Sequence, residues 1–244
     1  GLRAAARVAA HESAIRHAAA TTKLLPPIPD PHKIICLGLN YRDHAAESGA
    51  PIPKDPVLFS KYATALIGDG DAIVLPPVSQ EVDYEAELVI VIGKKGRHIK
   101  PDQGLNHVAG YTIGHDVSAR DWQFKGEEKQ WIIGKTFDTF APTGPHLITA
   151  DEVPDPHKLD IKLRLNGEVM QDSTTADLLF DVPDLVSYLS TVLTLLPGDV
   201  IATGTPAGVG FTRKPPRLLA DGGLVGTTIS GVGQPRTRCR AEKP

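Results

Sequence analysis

In the segment Val82-Asp83-Tyr84-Glu85-Ala86-Glu87-Leu88 an acidic residue recurs at every second position from Asp83. Alternate residues of a β-strand share a face. Asp83, Glu85 and Glu87 therefore project together, with Val82, Tyr84, Ala86 and Leu88 on the other side. Same-face Cα atoms lie about 6.6–7 Å apart, close enough for two glutamates to swing their carboxylates onto one cation. The competing reading is a solvated acidic face. However, the strand runs straight into the apolar Leu88–Ile92, so Glu87 stands at the edge of a core. Like charges crowded there require a cation or raised pKa values. Oxygen donors alone suit a hard ion such as Mg²⁺, Mn²⁺ or Ca²⁺ rather than zinc.

Other segments offer partners for such a site. Asp116 ends an apolar run and precedes the helix-like turn Val117-Ser118-Ala119-Arg120-Asp121. It is either a helix cap or a third carboxylate beside the Glu85/Glu87 pair. His115 points to the opposite face and is read as structural, while Arg120 and Asp121 are read as pairing with each other or with backbone groups. The i, i+3 pair His44/Glu47 shares a helical face. It is either a surface pair or a base whose tautomer and basicity are set by the carboxylate, as water activation requires. Lys135, between Gly134 and Thr136, is either solvated or aimed at a metal-bound enolate. The loop Thr203-Gly204-Thr205-Pro206-Ala207-Gly208-Val209-Gly210 has neither GK[ST] nor GxGxxG spacing, which disfavours nucleotide binding. Its amides and the Thr205 hydroxyl suit a carboxylate or an oxyanion. The absence of a GxSxG elbow and of a cysteine signature disfavours a covalent acyl-enzyme.

These side chains need rigid elements beneath them. Strands are expected at Ile34–Leu39, Val57–Ser60, Ala72–Leu75, Val82–Ile92, Val108–Val117 and Val200–Thr203, with a short helix over Asp43–Ser48. Asn166-Gly167 between two strand-like runs predicts a type I′ hairpin. Asp181 predicts a helix cap, followed by a helix to about Leu195 with Leu185, Leu189, Val192 and Leu196 on one side. With 23 Gly and 21 Pro in 244 residues, and no regular strand–helix alternation, the body is a β-rich mixed α/β fold. Residues 1–31 form an appendage: an Ala- and Arg-rich stretch over Leu2–Ala20, read as an amphipathic helix rather than a transit-peptide remnant, then the stiff PPIPDP connector. Residues 32–244 form the main domain. A net charge of −3 argues against a nucleic-acid partner held by a basic field, and no apolar run reaches the roughly 20 residues of a membrane span. Cys36 and Cys239 form no CxxC pair and suggest a reducing compartment, cytoplasmic, or the mitochondrial matrix if the N-terminus is a transit remnant.

Taken together and in order, GLNYRDHAAESGAPIPKDPVLFSK, VDYEAELVIVIGKKG, HVAGYTIGHDVSARDWQ, GKTFDTFAPTGP, NGEVMQDSTT and LLPGDVIATGTPAGVG resemble the fumarylacetoacetate hydrolase superfamily, from about Lys33 to Val232. The resemblance is to the branch of the domain-containing protein 2. It implies a β-sandwich or roll with few short helices, usually dimeric. It also implies metal ligands at Glu85, Glu87 and Asp116, a water-activating His44 with Glu47, an active-site Lys135, and substrate contacts at Gln123 and Thr205. Asn40 stands where larger members carry an Asp, which argues against fumarylacetoacetate itself as substrate. The expected reaction is magnesium-dependent hydrolysis of a C–C bond in a 2,4-dioxo acid such as an acylpyruvate. The alternatives are a lyase or isomerase acting through the same enolate (oxaloacetate decarboxylation, or hydration or isomerisation of an unsaturated dioic acid) and a non-catalytic 2-oxo acid binding protein. Three carboxylates, a dication and Lys135 balance to zero, which suits an anionic substrate.

Overall fold

A computed structural model describes residues 10–11, 13–18, 21–127 and 130–243. Its centre is a strand, Ala86–Ile92, in which every residue is buried. The named strands in chain order are β1 (Ile34–Gly38), β2 (Val57–Ser60), β3 (Leu66–Ile67), β4 (Ala72–Leu75), β5 (Val82–Asp83), β6 (Ala86–Ile92), β7 (Val108–His115), β8 (Ser118–Ala119), β9 (Ala141–Thr149), β10 (Asp160–Leu165), β11 (Glu168–Thr174), β12 (Val200–Ala202), β13 (Leu224–Ile229) and β14 (Arg236–Ala241). The helices are α1 (Arg42–Glu47), α2 (Arg120–Gln123), α3 (Trp131–Lys135) and α4 (Val182–Val192). One sheet runs β2-β1-β12-β6-β7-β9-β3, a second β11-β10-β13-β14-β4, and β5 pairs with β8 alone. The strand-rich mixed α/β architecture with few short helices is as expected from the sequence.

Period-two alternation gives β6 two apolar faces. Leu88, Ile90 and Ile92 join the main core with Ile161 and Leu163 of β10, Val225 and Ile229 of β13, and Leu185 and Leu189 of α4. Val89 and Val91 pack on the other side with Ile34, Cys36 and Val200. Each large aliphatic side chain buried this way contributes about 1.5–3 kcal/mol, so β6 is among the least yielding places in the molecule. Its antiparallel register with β7 sets Ala86 opposite His115 and Glu87 opposite Gly114.

Local signals act as their chemistry dictates. Asn166 and Gly167 adopt φ of 53° and 87°, the positive values the β10–β11 turn requires. The Asp184 amide donates to the Asp181 carboxylate at 2.9 Å and caps α4. Two expectations are corrected. The Val82–Ile92 run is two strands, because the Tyr84 amide donates to Asp83 Oδ1 and the Ala86 amide to Gln171 Oε1, withdrawing them from any ladder. Helix α4 stops at Val192, which is 70 % exposed rather than on the buried side with Leu185 and Leu189. Most of the Leu2–Ala20 helix lies outside the described residues, and residues 14–18 form no helix. Among the described residues no helix is long and apolar enough to cross a membrane.

Candidate metal centre and active-site cleft

Breaking the strand at Tyr84–Glu85 divides the three acidic residues. Asp83 turns away from the glutamates and becomes a brace: buried, it accepts from the Tyr84, Gly210 and Phe211 amides and from Arg120 Nε. Glu85 and Glu87 stay together and meet Asp116 at the end of β7, where the Asp116 amide donates to the Glu85 carbonyl at 3.0 Å. All three are buried, and a carboxylate oxygen from each lies within 4.8 Å of the other two. The oxygens of Glu85 and Asp116 are held by cations. Lys135 Nζ lies 2.8 Å from Glu85 and 2.7 Å from Asp116, Arg120 Nη2 2.7 Å from Glu85, and Lys61 Nζ 2.5 Å from Asp116. Glu87 is served less fully. Its Oε2 accepts from the Gly204 amide at 2.9 Å, and its Oε1 is buried without a partner.

The electrostatics follow from that inequality. Burial alone raises the Glu85 carboxyl, but the Lys135 and Arg120 charges outweigh it and hold the group far below the usual carboxylate range. For Glu87 burial and the neighbouring Asp116 and Glu85 charges act in the same direction, and its carboxyl is pushed well up. Counted ionised, Asp83, Glu85, Glu87 and Asp116 face Lys61, Lys135 and Arg120, leaving one negative charge in excess. A dication converts that excess into one positive charge, so the neutral balance expected from the sequence is corrected: Lys61 adds a cation it omitted. An oxygen-only donor set, mutual reach and an orphaned buried carboxylate oxygen fit a hard divalent ion held by Glu85, Glu87 and Asp116.

The cleft beside this centre has a volume of about 450 Å³, and His44, Glu47, Gln123, Lys135 and Thr205 all line it. His44 Nδ1 lies 3.3 Å from Glu47 Oε2 on α1. That helix is pinned by Asp43, which accepts from Ser173 Oγ at 2.7 Å and from the Ala207 amide at 3.1 Å. Lys135 ends α3, which lies close against α2: a Cβ on Gly134 would come within 2.7 Å of Gln123 Cβ, so only glycine permits the approach. Gln123 Oε1 accepts from Arg120 at 2.9 Å. The Thr205 hydroxyl donates to the Ala86 carbonyl at 2.9 Å and accepts from Gln171 at 2.8 Å. The glycine-rich loop sends successive amides to three carboxylates: Gly204 to Glu87, Ala207 to Asp43 and Gly208 to Glu47. It thereby joins the carboxylate trio to the His44 helix.

Several participants were not found from the sequence. Lys61 is an unremarkable lysine after an apolar strand. Arg120 pairs with Asp83 and Glu85 rather than with Asp121, which instead accepts from Ser79 and the Gln80 amide. Gln171 comes from the second sheet and bridges Ala86 to Thr205 and Pro206. Asn40 is a buried brace, donating to the Thr203 and Phe180 carbonyls and accepting from the Phe180 amide. A carboxylate there would leave both carbonyls without a donor. His115 is buried and neutral, its pKa pushed down to about 3 by burial and the nearby Lys61 charge, in keeping with a structural histidine.

Burial alone would raise the Glu47 carboxyl, but hydrogen bonds from His44, Thr212 and the Gly208 amide outweigh it and hold it below its ordinary value of 4.5. Such a group adds stability above its unfolded pKa and loses it as pH falls through the lower folded value. Urea midpoints for Glu47→Gln are expected to fall below wild type at pH 7 and to converge with it below about pH 4. A gap that does not change with pH would remove this role for the carboxylate.

The fold and its buried carboxylate trio define a class: strand-rich mixed α/β proteins with a buried oxygen-donor cluster whose composition fits a hard divalent cation. The chain belongs to the fumarylacetoacetate hydrolase family, since the family model "Fumarylacetoacetate (FAA) hydrolase C-terminal" matches residues 33–240. It is 53% identical over 209 residues to the mitochondrial oxaloacetate tautomerase FAHD2A of Homo sapiens, covering 86% of this chain and 67% of that protein. The chain thus spans about two thirds of the length of that relative. Among solved structures it is similar to maleylpyruvate hydrolase from Sphingobium in complex with manganese(II) and pyruvate (TM-score 0.84, 36% identity, covering 100% of this chain and 83% of that one). It is also similar to 5-carboxymethyl-2-hydroxymuconate delta-isomerase from Mycobacterium smegmatis (TM-score 0.81, 42% identity, covering 93% and 85%).

Proposed function

We propose that this protein is a divalent-metal-dependent enzyme that forms and reprotonates the enolate of a 2-oxo acid, with keto–enol tautomerisation as its reaction. The observation that carries the reading is the placement, on one cleft, of a buried carboxylate trio at the inner end and the His44–Glu47 pair on the wall. A dication bound there supplies Lewis-acid stabilisation of negative charge on the substrate's oxo oxygen. Lys135 adds a fixed positive charge at the same end, anchored by Glu85 and Asp116 so that it needs little reorganisation. His44, with Nδ1 turned to Glu47, keeps Nε2 to carry the proton between C3 and the oxo oxygen: taken from C3 it is delivered to the oxygen in the enol, and the reverse transfer restores the keto acid with no net gain or loss of a proton. The oxaloacetate tautomerase relatives support this order of preference, and oxaloacetate is the first substrate to test. Mg²⁺ or Mn²⁺ is the expected ion.

The second reading is the hydrolysis expected from the sequence, favoured by the His44–Glu47 pair and by the maleylpyruvate hydrolase neighbour. His44 then takes a proton from a water attacking the distal carbonyl of a 2,4-dioxo acid, and the products are a carboxylic acid and pyruvate. Because the relatives are mitochondrial, the matrix is the proposed compartment, and family likeness makes a homodimer the proposed assembly.

Chelator-treated protein is expected to lose its acceleration of oxaloacetate enol decay, followed by ultraviolet absorbance, and to regain it with Mg²⁺ or Mn²⁺. Product analysis assigns the class: an unchanged carbon skeleton means tautomerisation, CO₂ release decarboxylation, and a second acid from an acylpyruvate hydrolysis. Turnover indifferent to chelation ends the enolate reading, and tight 2-oxo acid binding without turnover would make the protein a binding protein. His44→Ala should abolish catalysis and spare metal affinity; loss of both together would mean the base has been misassigned.

A further inference from the structure

We propose that Leu39 determines reaction specificity: its apolar side chain is held in the cleft so that the His44–Glu47 pair works on a substrate C–H bond rather than on water. The proposal rests on the enolate reading of the site. The first observation is in the backbone. Leu39 has a φ of 53°, in the left-handed region that a leucine rarely adopts. Among the described residues four that are not glycine have positive φ, and of these Leu39 alone lines the cleft with His44 and Glu47. Glycine or asparagine would meet the same backbone demand with less strain, so the leucine side chain itself needs an explanation. Packing does not supply one. Leu37 belongs to the main core and Cys36 to the second, whereas Leu39 is half-buried and joins neither. Strain held at a cleft, with no core contact to offset it, points to a role in the cleft.

Both neighbours hold the conformation. Asn40 is buried and donates to the Thr203 carbonyl at 2.8 Å and the Phe180 carbonyl at 3.1 Å, while its own side-chain and backbone oxygens accept from the Phe180 and Leu179 amides at 2.8 Å. On the other side, a Cβ on Gly38 would collide with the Trp131 ring, so the end of β1 lies directly against that ring. Leu39 cannot turn away from the cleft without breaking the Asn40 bonds. The two candidate reactions differ in what His44 deprotonates. Tautomerisation moves one proton between C3 and the oxo oxygen and adds nothing. In hydrolysis His44 takes a proton from water, and the water oxygen bonds the distal carbonyl carbon. The bond from that carbon to C3 then breaks, its electron pair passes into the enolate of the 2-oxo acid, and C3 regains a proton. A water held for that attack needs polar partners besides the base. Leucine offers none, and its apolar surface leaves the space beside the base to the substrate.

The test uses the full chain loaded with Mn²⁺ and compares wild type, Leu39→Asn and Leu39→Met. Two rates are read on each: tautomerisation of oxaloacetate and hydrolysis of 2,4-dioxopentanoate. Asparagine tolerates the left-handed φ and offers a water both a donor and an acceptor. In Leu39→Asn the ratio of kcat/KM for tautomerisation to kcat/KM for hydrolysis is expected to fall about tenfold or more. In Leu39→Met, apolar and of similar volume, the ratio should stay within about threefold of wild type. The urea midpoint of Leu39→Asn in chelator is expected at or above that of wild type, because backbone strain is relieved. A clearly lower midpoint would make Leu39 a packing residue. That outcome, a ratio unchanged in Leu39→Asn, an equal fall in Leu39→Met, or a wild type that hydrolyses faster than it tautomerises overturns the proposal and leaves the enolate reading standing. If neither acid is turned over by wild type, the enolate reading fails and the proposal falls with it.

Discussion

Lys135→Met is expected to cost the metal-free protein about 3–5 kcal/mol of stability and to lower turnover about 10²–10³-fold. Lys135 Nζ sits between Glu85 and Asp116 at 2.8 and 2.7 Å, and the residue is 2 % exposed. Removing the ammonium takes one shared positive charge from between two buried carboxylates, leaving Glu85 with Arg120 and Asp116 with Lys61, while the methionine fills much of the volume without matching the charge. Burial favours the neutral amine, yet the Asp116 and Glu85 charges prevail and keep the lysine charged. Urea unfolding in the presence of a chelator reads the stability loss. Added Mn²⁺ should restore much of it, because a ligand that binds only the folded state stabilises it by mass action, about 2.7 kcal/mol at a hundredfold excess over Kd. A Met variant as stable as wild type in chelator would show that the ammonium is not what neutralises these carboxylates.

Glu87→Gln is expected to act in the opposite direction on stability. The amide oxygen can still accept from the Gly204 amide, and a carboxyl whose ionised form is opposed by burial and by the Asp116 and Glu85 charges is gone. The metal-free variant should therefore be at least as stable as wild type, because an amide keeps the Gly204 contact without a group that ionises at a cost in this surrounding. Metal binding should weaken by about 100-fold or more, since affinity at oxygen sites follows the charge of the ligands. Calorimetric titration with Mn²⁺ together with urea unfolding in chelator checks both halves. Weakened binding with an unfolded or strongly destabilised metal-free protein would mean that Glu87 is a structural acceptor first. The two variants touch one cluster a few ångströms across, and their opposite effects on stability separate a cation-matched carboxylate from an unmatched one.

The loop from Gly204 to Gly210 gives these single-site effects a shared framework. Its amides reach Glu87, Asp43, Glu47 and Asp83, and Gln171 clamps it to Ala86 through Thr205 and Pro206. Glycine density there serves backbone donors aimed at the protein's own carboxylates. From the sequence the same amides suited a bound anion. In the folded chain the anions these amides hold are the protein's own Glu87, Asp43 and Glu47.

Period-two patterning, one Asn-Gly turn and one Asp cap were enough to place most of the strands and the longest helix, because those signals act within a few residues of themselves. The Glu85/Glu87 pair and the His44/Glu47 pair were legible for the same reason: each is a short-range spacing on one element. The sequence alone did not settle which acidic residue would leave the trio, because that was decided when the Gly210 and Phe211 amides, from a loop more than 120 positions away, captured Asp83. Nor did it assign Lys61, Arg120 or Gln171, whose neighbours lie on other strands and in another sheet. Local preference fixes which way a side chain faces along its own element. The charge that meets it is fixed only when packing brings distant backbone and side chains within hydrogen-bonding reach, and in this protein that second step turned an acidic strand into a cation-matched pocket with one carboxylate oxygen left to fill.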